Sequence, residues 1–350
     1  MSAVLERDEI VLHDESEASQ VYSKGYFGRP QSGGSLKLEL IEGLYLVESG
    51  RLEVKSGKRT IDAGALIHIG HKREENFEIR YLVYRDLRKR GYVVKSGVGA
   101  LDFRVYPRGG GPPKTPSKYW VTALSERTIF DLAGLLDLLD KATSARKALL
   151  AAVVDEEGDL TYYGVSRVAP NGRAKGRRTK PPAEAVFLGD RVMILDPQQA
   201  ENIHESEFFG RMLGGHLQLS LIETSFLLER GDISLVNGKT GRKMSHATFL
   251  KRATGIQPDF RMRLRVYYDL KGKGIIVKTG FKYGSHFRAY KGDPSTHHAK
   301  YLVHSFPANY TGMWPEISRA VRLAHGVKKD ILFGRVGRRI DYLRLHRIRP

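Results

Sequence analysis

Two stretches decide the fold: YLVYRDLRKRGYVVKSGVGALDFRVY at 81–106 and LRVYYDLKGKGIIVKTGFKYGSHFRAY at 264–290, because they are two copies of one pattern. Tyr106, the last residue of the first stretch, aligns with Tyr290 of the second at an offset of 184 (290 − 106). Within both copies, a charged stretch with an apolar stripe is followed by a glycine and then by short β-type segments. This similarity indicates that the chain contains one module twice.

Two upstream motifs extend the repeat toward the N-terminus. The motif YFGR at 26–29 aligns with FFGR at 208–211 at an offset of 182 (208 − 26). The motif LIE at 40–42 aligns with LIE at 221–223 at an offset of 181 (221 − 40). A near-constant offset over this length predicts a tandem duplication into two halves of about 170 residues, each long enough to bury its own core.

The composition predicts a polyanionic partner. The 350 residues contain 58 Lys and Arg against 39 Asp and Glu, a formal net charge of +19. Such a field favours nucleic acid first and an anionic membrane second, whereas the plainest alternative is a basic protein without a polyanionic ligand. The absence of cysteine excludes disulfides, thiolate zinc sites and cysteine nucleophiles. With no signal peptide or membrane span in view, we expect a cytoplasmic protein.

Local patterns predict the order of elements in the first half. Residues 1–20 are polar and acidic, and we expect them to be loosely held. Apolar spacing and terminal glycines predict two helices, and a change to strand-type patterning predicts short strands after them. The predicted elements are helices at 36–49 and 75–90, strands at 92–94, 103–106 and 119–121, a helix at about 128–143, a buried strand at 147–154, an acidic hairpin turn at 155–159 and a returning strand at 160–165.

The second half repeats this order. The predicted elements are helices at about 217–230 and 259–271, strands at 275–278, 286–290 and 300–304, a helix at about 316–325 and a final hairpin at 330–348. The segment APNGRAKGRRTKPPAE at 169–184 is rich in Pro, Gly and charge and is predicted to be a linker.

These patterns predict a mixed α/β fold that arose by tandem duplication. Each repeat is expected to contain a small helical or α+β subdomain followed by a mixed-sheet α/β subdomain. The predicted boundaries are 1–90 and 91–168 for the first repeat, 169–184 for the linker, and 185–271 and 272–350 for the second repeat.

Three polar residues of the second half come from neighbouring predicted elements: Tyr290, His298 and Lys329. Each has an ordinary explanation, since a strand-end tyrosine is usually part of the core, a loop histidine is usually exposed, and a lysine at a helix end usually interacts with the helix dipole. The copies differ at one of these positions, because Pro116 stands opposite His298. This difference is expected if only the second half catalyses proton transfer, but sequence drift would produce it equally well.

Three motifs of the second half resemble the archaeal tRNA-splicing endonuclease family. They are GIIVKTG at 274–280 with FRAY at 287–290, HAKYLV at 298–303, and AVRLAHGVKK at 320–329. The resemblance extends over both halves. It is closest to the doubled-chain form, in which one polypeptide carries an inactive and an active nuclease-like module and two chains pair as a homodimer.

The resemblance implies a catalytic triad of Tyr290, His298 and Lys329. In the family, the tyrosine is the general base on the ribose 2′-hydroxyl, the histidine protonates the leaving 5′-oxygen, and the lysine stabilises the transition state. It implies 2′,3′-cyclic phosphate and 5′-hydroxyl products with neither metal nor cofactor. The chemistry is consistent with this, because nearby cations favour the phenolate and histidine is the natural acid near neutral pH. His297 stays open as an alternative to His298.

The resemblance also implies an RNA-binding pair of arginines that grips a splayed-out bulge base. Arg322 matches the first of them, and Arg347 on the last predicted strand is taken as the second, with Arg344 as the alternative. Guanidinium planes stack well on bases. The simpler explanation for each arginine is a phosphate contact or a solvated chain end.

The acidic turn contrasts in charge with the rest of the protein. It contains Asp155, Glu156, Glu157 and Asp159, whereas the corresponding turn of the second half reads GRVGRR at 334–339. By resemblance, this turn inserts into a basic pocket of the partner chain's catalytic half, forming the dimer interface. Alone, the same turn would be an ordinary solvated hairpin.

The sequence therefore predicts an endonuclease that excises introns from precursor tRNA folded as a bulge-helix-bulge. Two other classes remain as alternatives: an RNA-binding protein without catalysis, and a metal-dependent nuclease. The last is disfavoured because Asp293 and Asp330 are isolated acids, whereas catalytic metals need several oxygen ligands.

Overall fold

The computed structural model describes residues 1–7 and 9–350, which form two compact units. The first unit contains Met1–Thr128, Asp137–Val165 and Arg347–Pro350. The second contains Ile129–Leu136 and Ser166–His346. The units therefore follow the two sequence repeats, except for a short segment from each that belongs to the other.

The first repeat opens with a six-stranded sheet and three helices. The elements are β1 (Ser2–Glu6), β2 (Glu9–Leu12), α1 (Glu15–Ser23), β3 (Arg29–Pro30), β4 (Leu36–Glu39), α2 (Leu40–Glu48), β5 (Glu53–Ser56), β6 (Arg59–Ile61) and α3 (Ala63–Arg73). The strand order is β3-β4-β2-β1-β5-β6. The expectation that residues 1–20 are loosely held is therefore wrong, because apolar side chains of β1, β2 and α1 lie in the core.

The remainder of the first repeat contains the strands that the sequence predicted. The elements are α4 (Phe77–Lys89), β7 (Val93–Ser96), β8 (Phe103–Tyr106), β9 (Tyr119–Ser125), β10 (Ile129–Asp131), α5 (Leu132–Ser144), β11 (Ala148–Val154) and β12 (Leu160–Val168). Strands β7, β8, β9, β11 and β12 lie side by side in that order. Strands β9 and β11 pair in parallel, and the remaining neighbours pair antiparallel.

The second repeat contains the same succession. Its elements are β13 (Ala183–Phe187), β14 (Val192–Ile194), α6 (Pro197–Glu207), β15 (Arg211–Leu213), β16 (His216–Leu219), α7 (Leu221–Arg230), β17 (Ile233–Asn237), α8 (His246–Ile256), α9 (Phe260–Gly272), β18 (Ile276–Thr279), a single 3-10 turn (Phe281–Tyr283), β19 (Phe287–Tyr290), β20 (Tyr301–Pro307), β21 (Thr311–Met313), α10 (Trp314–Gly326), β22 (Asp330–Val336) and β23 (Ile340–Ile348).

The strands of the second repeat lie in two sheets, except for β21, which pairs with β10. Its first sheet has the order β15-β16-β14-β13-β17. Strands β18, β19, β20, β22 and β23 lie side by side in that order, with β20 and β22 parallel. The mixed α/β fold with tandem duplication is confirmed, because each repeat has its own hydrophobic core and the same order of elements.

The helices predicted at 36–49 and 217–230 are too long. Each segment begins with a strand, β4 or β16, in which alternate leucines point inward, and the helix starts only after it. Helix α7 begins with a capping box: the Ser220 side chain accepts from the Glu223 backbone, and the Glu223 side chain accepts from Ser220 N. Because a capping box satisfies the free N–H groups of a first helical turn, it fixes where the helix starts. Helices α1, α3, α6 and α8 were not predicted.

The motifs that revealed the repeat meet in one hydrogen-bonded cluster. In the first repeat, Gly28 N donates to Glu42 Oε1 over 3.1 Å. Lys95 Nζ donates to the same oxygen over 2.8 Å and to the Gly28 carbonyl over 2.7 Å. The Glu42 carboxylate is buried, so these partners replace the water that it loses. Gly28 has φ +72°, a conformation that favours glycine.

The second repeat builds the same cluster. Gly210 N donates to Glu223 Oε1 over 2.9 Å, and Lys278 Nζ donates to the carbonyls of Phe208 and Gly210. Burial lowers the pKa of Lys278. The residues that the two copies share most clearly therefore tie each N-terminal subdomain to the sheet that follows it. Their role is structural.

Candidate active site

The register of the second repeat brings the three predicted catalytic positions to one edge of a sheet. Tyr301, the first residue of β20, pairs with Ala289 of β19 and with Asp330 of β22. Tyr290 directly follows Ala289, and Lys329 directly precedes Asp330. The loop that contains His298 leads into β20 at the same edge. Parallel and antiparallel pairing therefore gathers residues that are up to 39 positions apart (329 − 290).

The Tyr290 ring is held in a small apolar cluster at this edge. It is 7 % exposed and packs with Ile276 and Ala299. The Arg288 guanidinium carbon lies 5.9 Å from the ring centroid. Packing fixes the ring, and a cation lies beside it.

Lys329 is positioned by the end of α10. Lys328 has φ +54°, and Lys329 N donates to the Ala324 carbonyl over 2.9 Å, which ends the helix and turns the chain into β22. Lys329 Nζ donates to the Val327 carbonyl over 3.1 Å. It also lies 5.5 Å from the ring centroid of Tyr283, in the 3-10 turn.

Tyr283 is a residue of this neighbourhood that the sequence did not reveal. Its ring centroid lies 5.9 Å from the guanidinium carbon of Arg288, which also lies beside Tyr290. Tyr283 and Arg288 thus connect Lys329 to Tyr290 through consecutive cation–ring contacts. The only sequence signal for Tyr283 is an aromatic residue in the turn after β18.

The two loop histidines have different surroundings. His297 Nδ1 lies 2.7 Å from Thr296 Oγ1, and His297 N donates to the Asp293 carbonyl over 2.9 Å. Hydrogen bonds from Ser295 hold the pKa of Asp293 below its usual range. His298 is exposed, and its ring makes no hydrogen bond with the described part of the chain. These surroundings favour His298 as the group free to meet a substrate.

The predicted RNA-binding arginines also differ. Arg322 is exposed on α10, and no carboxylate within residues 1–7 and 9–350 forms an ion pair with it. Arg347 is exposed near the end of β23. Arg344 is half-buried: its Nε donates to Ser166 Oγ over 3.1 Å, and its Nη1 lies 3.8 Å from Asp330 Oδ2. Arg344 therefore has partners inside the protein.

The first repeat preserves the frame of this edge without the histidine. Tyr106 ends β8 and is buried like Tyr290. Arg146 has φ +57°, and Lys147 N donates to the Ala142 carbonyl over 2.8 Å, as at Lys329. Pro116 occupies the loop position of His298. A tyrosine and a lysine are thus retained on the same backbone, but the histidine is replaced by proline.

The acidic turn between β11 and β12 is built by one of its own carboxylates. Asp155 Oδ1 accepts from Glu157 N over 3.1 Å and from Asp159 N over 2.8 Å. Glu156 forms an ion pair with Arg127. Glu157 and Asp159 are exposed and have no ion-pair partner among the residues described. Two of the four carboxylates are therefore free for another molecule.

Comparison with known proteins identifies the family. The catalytic C-terminal domain of the tRNA intron endonuclease matches residues 77–162 and again 260–342. The N-terminal domain of the same enzyme matches residues 1–67 and 183–250. The chain belongs to the tRNA intron endonuclease family. The double match of both domains confirms the predicted duplication.

Full-length relatives lead to the same family. The chain is 38 % identical over 359 residues to a tRNA-splicing endonuclease of Methanococcoides burtonii, with all of both chains covered. It is 38 % identical over 354 residues to one of Methanosarcina acetivorans, again with full coverage. A tRNA-splicing endonuclease of Natronomonas pharaonis is 33 % identical, with 94 % of each chain covered.

Within residues 1–7 and 9–350, no three His, Asp or Glu side chains cluster closely enough to hold a metal ion. None of the helices in that part of the chain is both long and apolar enough to span a bilayer.

Proposed function

We propose that this tRNA intron endonuclease cleaves precursor tRNA at both intron boundaries in a bulge-helix-bulge fold. The proposed products carry 2′,3′-cyclic phosphate and 5′-hydroxyl ends, and the proposed chemistry uses no metal. The observation that supports this most strongly is the convergence of Tyr290, Lys329 and the His298 loop at one sheet edge. Family membership supplies the class of reaction.

The proposed mechanism is an internal transesterification. Tyr290, as phenolate, takes the proton of a ribose 2′-hydroxyl, whose oxygen then attacks the adjacent phosphorus. The bond from phosphorus to the 5′-oxygen breaks, and His298, as imidazolium, gives that oxygen its proton. Lys329 stabilises the negative charge that builds on the phosphate oxygens. Positioned acid–base groups and a fixed cation are sufficient in principle for this chemistry.

Substrate recognition is proposed to depend on RNA shape and unpaired bases. The deep, narrow major groove of A-form RNA is closed to side chains, so specific enzymes bind splayed bases instead. Arg322 and Arg347 are proposed to stack on a bulge base. Two chains are proposed to form a homodimer through the acidic turn, with Asp155 shaping the turn and Glu157 and Asp159 meeting cations of the partner. The cytoplasm is the compartment where such a substrate would be met.

Cleavage in the presence of a chelator tests the reaction. The protein is incubated with a bulge-helix-bulge RNA and with a fully paired RNA of the same length, each with excess chelator, and the ends are analysed. We expect cleavage of the bulged RNA alone, with cyclic phosphate and 5′-hydroxyl ends. Loss of cleavage in chelator or 5′-phosphate products would contradict the mechanism, and binding without cleavage in every buffer would instead identify an RNA-binding protein.

A further inference from the structure

Part of the segment predicted as a linker is hydrogen-bonded to the strands of the candidate active site. Residues 172–175, which we call the strap, run beside the start of β18 and the end of β19. Gly172 N donates to the Lys273 carbonyl over 2.9 Å, Arg173 N to the Lys291 carbonyl over 2.9 Å, and Ala174 N to the Gly274 carbonyl over 3.0 Å. Lys291 directly follows Tyr290, so the strap lies next to the proposed general base.

Only glycine fits at the first position of the strap. A Cβ on Gly172 would lie 2.0 Å from the Gly274 carbonyl oxygen, which is backbone and has little freedom to move. This close approach is what allows the strap to lie flat along the sheet edge. A flexible linker would not need it.

The side chains of the strap alternate between the protein and solvent. Ala174 packs against the cluster of Ile276, Tyr290 and Ala299. Arg173 and Lys175, on either side of it, are exposed, and neither forms an ion pair with a residue in the described part of the chain. Hydrogen bonds and apolar packing thus fix the backbone from which Arg173 and Lys175 extend into solvent.

These cations border a cavity that extends to the loop between β19 and β20, which contains His297. The cavity has a volume of about 580 Å³, and Arg173, Lys175, Lys291 and His297 are among its lining residues. Two carboxylates also line it. Glu207 is buried and already paired with Lys271 and Arg230, while Asp293 accepts hydrogen bonds from Ser295. Of these carboxylates, Asp293 alone offers an opposing charge without a cationic partner.

We propose that the strap is a phosphate-binding subsite for the RNA strand that enters the active site. Arg173 and Lys175, together with Lys291, bind backbone phosphate next to the bond cleaved at Tyr290. The inference depends on the proposed position of the active site. Phosphate contacts fix the register of a nucleic acid on a protein, and a backbone that is already hydrogen-bonded in place has less freedom to lose on binding than a flexible loop.

The chain just after the strap is also held in place by hydrogen bonds. Arg230 Nη2 donates to the Arg177 carbonyl over 3.5 Å, and Thr179 N donates to Asp232 Oδ1 over 3.0 Å. Strand β13 then begins at Ala183. Backbone contacts on both sides of Lys175 keep the two cations beside the active-site edge rather than leaving them on a free chain.

Salt-dependent binding of a precursor tRNA tests the subsite. The double variant Arg173→Gln/Lys175→Gln removes two charges and keeps the backbone. Each lost phosphate contact lowers the slope of log affinity against log salt by about 0.7 on single strands, so we expect a decrease of about 1.4 (2 × 0.7). Lys239→Gln/Arg242→Gln is the matched control, because it removes the same charge from an exposed turn beyond the far end of β13 and β17.

A second variant tests whether RNA binding depends on the position of the two cations or only on their charge. Gly172→Ala keeps both cations but displaces the strap, and we expect it to weaken binding while circular dichroism shows a folded protein. Unchanged affinity and slope in the double variant would overturn the subsite. A loss in the double variant with none in Gly172→Ala would overturn its fixed position. If the wild type does not cleave RNA, the proposed function fails, while the binding slopes still decide whether the subsite exists.

Discussion

The two copies of the mixed-sheet α/β subdomain keep the same partly buried hydrogen bond with different side chains. In the first copy, Ala123 N donates to Asp102 Oδ2 over 2.7 Å. In the second, Ser305 N donates to His286 Nδ1 over 3.0 Å. The positions correspond, at offsets of 184 (286 − 102) and 182 (305 − 123). What the fold requires here is an acceptor for one partly buried N–H, and either a carboxylate or a neutral imidazole supplies it.

The charge around this acceptor has changed with it. Arg80 Nε lies 2.9 Å from Asp102 Oδ1, although burial still raises the pKa of Asp102. The corresponding Arg263 forms an ion pair with Asp259 over 2.6 Å instead. Burial and the Arg263 charge lower the pKa of His286 to about 3. The copies have therefore diverged in electrostatics at a point where their backbones agree.

A third difference between the copies lies in an exposed loop, at a position that we propose to be catalytic in the second copy. Pro116 replaces His298 at the sheet edge, while Tyr106 and Lys147 remain. Burial is a structural reason to retain the tyrosine in both copies, whereas the lysine ends its helix through its backbone N–H, a bond that does not require a lysine side chain. The comparison thus singles out His298 as the one proposed catalytic residue that the first copy lacks.

Replacing His298 by alanine should have the largest effect. A positioned proton donor accelerates a reaction by about 10²–10⁴-fold, so single-turnover cleavage should slow by that factor while RNA affinity stays nearly unchanged. His297→Ala is the control, because its ring is engaged by Thr296. Wild-type rates in His298→Ala, or an equal loss in His297→Ala, would contradict the assignment.

The tyrosines test whether one copy or both are active. We expect Tyr290→Phe to lose about 10²-fold or more in single-turnover rate, since the phenolate is the proposed base. Tyr106→Phe should cleave at the wild-type rate, because the first copy has no proton donor beside it. An equal loss in both variants would show that both copies work.

Acid should destabilise the second copy through its buried histidines. The pKa of His286 is lowered to about 3 and that of His304 to about 4, in both cases mainly by burial. The unfolded chain binds these protons near pH 6.5, so stability is complete above that pH and is lost as pH falls toward the folded values. At pH 5, the expected loss is about 2 kcal/mol per histidine (1.36 × 1.5).

Urea unfolding of a non-titrating variant measures this loss. His286→Gln keeps an acceptor for Ser305 N, and the surroundings of the ring, Arg263, Asp259 and His304, stay in place. The difference in unfolding free energy between pH 7 and pH 5 should shrink by about 2 kcal/mol relative to wild type. An unchanged difference would mean that His286 is already protonated in the folded protein at pH 5.

The sequence predicted the duplication and most strands of the later part of each repeat, because repeated motifs and short apolar segments are local signals. It did not predict the strands β1–β6 and β13–β17 of the N-terminal subdomains. It misplaced the starts of α2 and α7, because LKLELIEGLYL at 36–46 is apolar at both strand and helix spacing and only the capping residue divides it. It missed Tyr283 and the strap for a different reason. Their contacts join residues distant in sequence, and the strap's composition of Gly, Arg and Lys is that of a flexible linker.

Substitutions in the acidic turn should have the smallest effect, a weakening of the dimer. They test whether the acidic turn of the first copy has a function that the basic turn of the second copy lacks. Because Asp155 holds the turn and Glu156 pairs with Arg127, the dimer contact should depend on Glu157 and Asp159. Exposed ion pairs contribute about 0.2–1 kcal/mol each, and a dimer contains two such turns, so Glu157→Gln/Asp159→Asn should weaken the dimer by about fourfold or more at low salt (4 × 0.2 = 0.8 kcal/mol). Sedimentation equilibrium at two salt concentrations measures the dimer dissociation constant. The difference from wild type should become smaller at the higher salt concentration, because salt screens the attraction.

Glu156→Gln is the control and should dimerise like wild type. A double variant as dimeric and as active as wild type would leave the turn a solvated hairpin, and an active wild-type monomer would refute the two-chain assembly.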